Sequence, residues 1–194
     1  PSASERLSFT SGSLISQETQ SPSTAAEPLE ELKGSTKGLT VDTLPIFLRS
    51  TECRALVIGG GPQATAKVRL LCQAKFEVTL IAERPCDELA GLIDQYNLSH
   101  LNTAFSPLML QQQDLVIVAD TDPELAAPIA SQVRQLRLPL NVVDQPSLCS
   151  FFFPAMVDRS PMVVAVGSQG QSPVLTHYVR RRIEESLPSV LEPL

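Results

Sequence analysis

The chain has 194 residues, with 15 Lys and Arg against 21 Asp and Glu, for a formal net charge of −6. Hydrophobic residues make up 43% and charged residues 19%, the balance of a globular protein that can bury a core in about one ordinary domain. An acidic chain with no basic cluster beyond Arg180, Arg181 and Arg182, no Trp and 5% aromatics is poorly suited to nucleic acid, and no apolar run approaches the roughly 18 residues of a membrane span.

Residues 1–43 are rich in Ser, Thr, Glu and Pro and keep no hydrophobic period. Such a segment cannot bury enough apolar surface to offset its ordering entropy, so a disordered tail or added extension is expected. A first residue of Pro1 instead of Met predicts a processed, tagged or excised chain. Cys53, Cys72, Cys86 and Cys149 are widely spaced, with no C-x-x-C and no metal-ligand spacing, and predict reduced thiols and no resident metal. Neither a secretory apolar core nor an Arg-rich leader is present, and a cytoplasmic location is expected.

From Leu44 to about residue 146 apolar runs alternate with amphipathic segments. RALVIGG predicts a buried strand ending in a glycine turn, and ATAKVRLLCQAK a helix with Ala64, Val68, Leu71 and Cys72 on one stripe. FEVTLIA predicts a strand, CDELAGLIDQY a helix, and LSHLNTAF a weaker strand. DLVIVA and LPLNVV predict buried strands on either side of the helix PELAAPIASQVRQLR, with Pro at its first turn. This alternation implies right-handed βαβ crossovers and an α/β fold: a Rossmann-type, doubly wound parallel sheet. Residues 147–194 break the rhythm as a small strand-rich extension with a terminal helix. SFFFPAMVD and MVVAVGS predict two strands joined by a turn at DRSP. SPVLTHYVRRRIEESLP predicts a helix with Ser172 as N-cap, Pro173 at its first position, and one apolar face of Val174, Leu175, Tyr178, Val179, Ile183 and Leu187.

Four places carry chemistry. Gly59-Gly60-Gly61-Pro62-Gln63-Ala64 matches G-x-G-x-x-G/A between a predicted strand and a predicted helix. Gly59 permits the tight turn, Gly61 lets the backbone approach a diphosphate, and Ala64 allows close helix–strand packing; the helix N-terminus offers free N–H groups to the phosphates. Glu83, about twenty residues on at the end of the second strand, suits the ribose hydroxyls of NAD. Arg84 beside it would instead favour NADP; NAD is the expectation. Asn141-Val142-Val143-Asp144 ends a buried strand in a carboxylate at the sheet edge where ligands bind, where it would hold a proton or cation, or else cap a turn. The loop Gly167–Pro173 feeds a helix N-terminus and reads equally as an anion site or a simple turn. His100 and His177 stand alone and read as surface residues.

Together LPIFL, VIGGGPQATAKVRLL, NVVDQPSLCSFFFPAMVDRSP, VAVGSQGQSPVL and RRRIEESLP resemble the siroheme synthase N-terminal module family, over Leu44 to about Pro188. The family comprises precorrin-2 dehydrogenases, many of them also sirohydrochlorin ferrochelatases. The resemblance implies NAD-dependent oxidation of the tetrapyrrole precorrin-2 to sirohydrochlorin, with ferrous iron as a further substrate in bifunctional members. It implies that Asp144 serves both steps, that Ser168 lies near the tetrapyrrole, and that Pro62, Gln63, Glu83 and Arg84 contact the cofactor. Asn141 and Arg159, in the matching segments, suit the carboxylates of the substrate. Three departures stand out. The glycine turn continues Gln63-Ala64 and Ala66-Lys67 where the family has Val-Ala-x-x-Lys; the family's A-T-D-D is Ala119-Asp120-Thr121-Asp122; and its Gly-Gly is Gln169-Gly170. Full members continue with a helical bundle that builds a homodimer and walls the active site. The rival expectation is a non-catalytic dinucleotide- or tetrapyrrole-binding module.

Overall fold

A computed structural model describes residues 42–188. The tail expected over 1–43 lies outside the described residues except for Asp42 and Thr43. Five strands, β1 (Arg54–Ile58), β2 (Glu77–Ile81), β3 (Ser99–Leu101), β4 (Leu115–Val118) and β5 (Leu140–Val142), form a parallel sheet in the order β3-β2-β1-β4-β5. Three crossovers carry α1 (Pro62–Gln73), α2 (Asp87–Tyr96) and α3 (Pro123–Gln135). The strand order reverses between β1 and β4, so a crevice opens there beyond the carboxyl ends of both strands.

The central strands are unbroken apolar runs because both faces of the sheet are covered. Side chains alternate along each strand. Ala55 and Val57 of β1, with Leu115 and Ile117 of β4, meet Ala64, Val68 and Leu71 of α1 and Leu89 and Leu92 of α2. Leu56 and Ile58, with Val116 and Val118, join Leu140 and Val142 of β5 against Ala126, Ile129, Ala130 and Val133 of α3. Leu56 is fully buried, and such burial contributes roughly 1.5–3 kcal/mol. Asp122 caps α3: its Oδ1 accepts from the Glu124 N–H at 3.0 Å, ahead of Pro123 at the first helical position. The weak strand expected over LSHLNTAF is the three-residue β3, and His100 within it is half-buried, its Nε2 2.8 Å from the Ala82 carbonyl.

The remainder is an antiparallel hairpin, β6 (Ala155–Arg159) and β7 (Met162–Val166), packed with α4 (Pro173–Ser186). Here the sequence expectations need two corrections. The first hairpin strand begins at Ala155, after the phenylalanines. Phe151 and Phe153 leave the strand to pack on the α1 side of the core, and Pro154 has no N–H to give a ladder. The predicted apolar face of α4 is only partly covered: Val179, Ile183 and Leu187 are half-buried. Val174, Leu175 and Tyr178 are exposed, because two strands are too narrow to shield the whole stripe. The helix start is as expected, with Ser172 Oγ accepting from the Leu175 N–H at 3.3 Å. Ser172→Ala should lower stability by about 1 kcal/mol, read as a lower urea midpoint at unchanged slope.

Candidate functional site

The glycine turn is dictated by what crowds it. Gly59 has φ +132°, and a Cβ there would stand 1.7 Å from the Ala119 carbonyl oxygen. A Cβ on Gly60 would come within 2.6 Å of the Arg84 carbonyl oxygen. These two glycines let the ends of β4 and β2 close over the turn. Gly61 is the N-cap of α1 and has no side chain to give to the helix. The cap comes from Asp120 instead: its carboxylate accepts from the Ala64 N–H at 2.7 Å and the Gln63 N–H at 3.4 Å. Asp120, just past β4, holds a left-handed φ of +50°.

Asp144 mirrors it past β5, at φ +62°. Both aspartates adopt the left-handed conformation that Asp tolerates, turning the chain as each strand ends at the carboxyl edge. The Asp144 carboxylate is exposed, and its Oδ2 accepts from Gln63 Nε2 at 2.6 Å. Gln63 therefore lies at the helix start by its backbone and reaches the strand-end acid by its side chain. A cleft of about 270 Å³ separates these elements, with Gln63, Asp120, Thr121, Val142 and Asp144 in its wall.

Lys67 sits one helical turn beyond Gln63, half-buried, with Nζ 4.4 Å from the centre of the Phe153 ring. Burial pushes its ammonium pKa down from the ordinary lysine value, and the charges of Asp144 and Cys149 pull it partly back. The sequence reading missed Lys67 as a site residue. Its signal was the i, i+4 spacing from Gln63, which puts both side chains on one helix face.

A second cleft, about 500 Å³, lies on the other side of Asp120 along the ends of β1 and β2. Glu83 and Arg84 stand exposed at its wall, with Gly60, Phe105 and Thr121. Thr121 Oγ1 donates to the Ala119 carbonyl at 3.0 Å, folding the A-D-T-D segment back on the strand end.

The other expected site residues lie outside the walls of both clefts. Pro62 opens α1 and is exposed. Asn141 is buried, and its amide donates to the Phe151 carbonyl at 3.1 Å. It anchors the phenylalanine segment and does not join the Gln63–Asp144 pair. Arg159 stays within the hairpin unit, 3.6 Å from Glu184. Ser168 Oγ accepts from the Ser172 N–H at 3.0 Å and from Thr176 Oγ1 at 2.8 Å, which fixes the loop to α4. That loop abuts the phenylalanine segment: a Cβ on Gly170 would come 3.1 Å from Phe152. Phe153 in turn stacks edge-on with Phe151, centroids 5.2 Å apart, below Lys67. Burial raises the Cys149 thiol, with an opposing pull from the Val142 backbone and the Arg134 and Lys67 charges. All four cysteines are free.

Among the described residues no group of three or more His, Cys, Asp or Glu is set to hold a metal, and no helix is long and apolar enough to cross a membrane. The residues do fit a dinucleotide. Gly59 and Gly60 keep the turn between β1 and α1 tight at the carboxyl edge of the sheet, and a cleft opens on each side of it at the switch point.

A family described as "Putative NAD(P)-binding" matches residues 46–155, more than half of the chain. A siroheme synthase of Thioalkalivibrio sulfidiphilus is 41% identical over 149 residues, covering 77% of this chain and 30% of that protein. One of Nitrosomonas europaea is 39% identical over 150 residues, covering 77% and 32%. The chain thus spans about a third of the length of the curated relatives it matches. A solved structure, "SirC, precorrin-2 dehydrogenase", superposes with a TM-score of 0.64 at 20% identity over 76% of this chain and 72% of that one, and shares the fold. The glycine cradle, the switch-point crevice and the match over residues 46–155 agree: the chain belongs to this NAD(P)-binding family, and the relatives it matches are siroheme synthases.

Proposed function

We propose that the chain carries NAD-dependent oxidation of precorrin-2 to sirohydrochlorin, the dehydrogenation step of siroheme formation. The observation that carries this reading is the Gln63–Asp144 hydrogen bond at 2.6 Å. It ties a strand-end carboxylate to the helix that starts at the dinucleotide turn, so a proton acceptor and a nucleotide seat share one crevice.

The oxidation takes a hydride and a proton from the tetrapyrrole. NAD, when bound, supplies the hydride acceptor. Gly59, Gly60 and the N–H groups at the start of α1 would hold its diphosphate, and Glu83 its adenosine ribose; Arg84 is the neighbouring cation. Asp144 receives the proton on its carboxylate, held in orientation by Gln63. Lys67 provides the positive charge beside it, suited to a propionate or acetate of the substrate. Ser168, at the start of the loop that leads into α4, is the residue of the extension assigned to the tetrapyrrole. The same Asp144 carboxylate is suited to taking pyrrole N–H protons when ferrous iron, as substrate, enters the macrocycle.

The exposed apolar positions Val174, Leu175 and Tyr178 of α4 support a homodimer, and four free thiols support a cytoplasmic location. Lys67→Met should raise KM for the tetrapyrrole about tenfold, roughly the 1.4 kcal/mol of one charge-assisted contact, with a smaller change in kcat.

Anaerobic incubation of the chain with precorrin-2 and NAD tests the reading. NADH formed in step with the sirohydrochlorin spectrum is expected. NAD binding with no NADH would overturn it in favour of a non-catalytic binding module.

A further inference from the structure

We propose that the Asp120 carboxylate occupies the diphosphate position of the dinucleotide site, so that Asp120 sets how tightly the chain holds NAD. This rests on the cofactor reading above and goes one step beyond it.

Three observations converge. The N–H groups of Ala64 and Gln63 are the free donors of α1 that would meet a phosphate, and both already point at this carboxylate, at 2.7 and 3.4 Å. A donor satisfied by a carboxylate is lost to a phosphate oxygen. Next, a Cβ built on Gly61 would come 2.5, 2.7 and 2.9 Å from Asp120 Cγ, Oδ1 and Oδ2. The space that a missing side chain leaves open at Gly61 is therefore filled from the end of β4. Finally, Asp120 and Thr121 are shared by the walls of both clefts, the one toward Asp144 and the one toward Glu83. A ligand with one half in each cleft has to cross between them at Asp120.

The charges reinforce the geometry. The larger cleft carries Glu83, Asp120 and Asp122 against a single cation, Arg84. A doubly negative diphosphate entering there meets like charge at hydrogen-bond range. Asp120 is exposed, so rotation of its side chain can clear the seat without repacking the core. The native chain thus binds NAD only through the fraction of molecules in which the carboxylate has swung away, and its apparent affinity falls by that fraction.

The test is calorimetric titration of the native chain, Asp120→Asn and Asp120→Ala with NAD and, separately, with adenosine, which has no phosphate. Asparagine keeps an oxygen for the Ala64 N–H, so the helix cap survives where alanine loosens it, but it carries no charge to oppose a diphosphate and yields the seat more readily than the carboxylate. Both variants should bind NAD about 10- to 100-fold more tightly than the native chain, with adenosine affinity unchanged. Before any NAD is added, the amide resonances of Gln63 and Ala64 should already differ between the native chain and Asp120→Asn. Equal NAD affinity in all three chains, or weaker binding in the variants, would overturn the role of Asp120 and leave the cofactor reading standing. No NAD binding by any of the three would remove both.

Discussion

Asp144→Ala should cut NADH formation by about 10²–10⁴-fold, the contribution of a positioned general base, while leaving the fold intact. The carboxylate is exposed and outside both core clusters, so its removal opens no cavity. It also ends the hydrogen bond from Gln63, but that amide is only half-buried and can turn to water. The loss should therefore fall on kcat, with NAD affinity near that of the native chain and stability lower only by the roughly 1–2 kcal/mol that the left-handed backbone costs an alanine. A rate within a few-fold of native, measured anaerobically with the tetrapyrrole spectrum, would take Asp144 out of the chemistry. Asp144→Asn adds a second check, since asparagine also tolerates the left-handed backbone at this position but accepts no proton there.

Gly59→Ala should be the most damaging single change to stability. The new Cβ would lie 1.7 Å from the Ala119 carbonyl oxygen, on a residue whose φ of +132° excludes ordinary side chains. Relief requires β4 to move away from the β1 turn, and both strands are central to the sheet. A loss of about 3–5 kcal/mol is expected, the upper range of single-substitution effects, measured by urea unfolding. NAD binding should fall with it, since the cradle and the start of α1 are one piece. Gly91, whose Cβ would meet nothing within 4 Å, is the control: an alanine there should be neutral or slightly stabilising, because it favours α2.

The parallel sheet was legible because its signals are local. LVIV and the ALVI of β1 are apolar without a break, EVTLI is apolar but for Glu77 and Thr79, and each is followed by a helix with period-3.6 spacing. Asp144 was legible too, because any residue closing a strand of such a sheet sits at the ligand edge. Other features depended on contacts that no local pattern encodes. FFFP looked like strand, yet two of its rings were drawn into the core beneath α1. Asn141 looked like a ligand of the substrate; alternation puts it on the face opposite Leu140 and Val142, where it bonds to the Phe151 backbone. Lys67 looked like an ordinary solvated helix residue until Phe153 and Asp144 came to lie beside it. The displaced threonine of A-D-T-D was visible, but not that the aspartate in its place would turn through a left-handed residue onto the N-terminus of α1.

A titration of the isotope-labelled chain with millimolar NAD, followed by amide NMR, bears most directly on the shared crevice. The dinucleotide reading predicts the largest changes at the backbone amides of Gln63, Ala64, Asp120 and Asp144 and at the Gln63 side-chain amide, with β6 and β7 nearly still. Changes centred on the hairpin and α4, with the glycine turn and Asp144 unmoved, would contradict it.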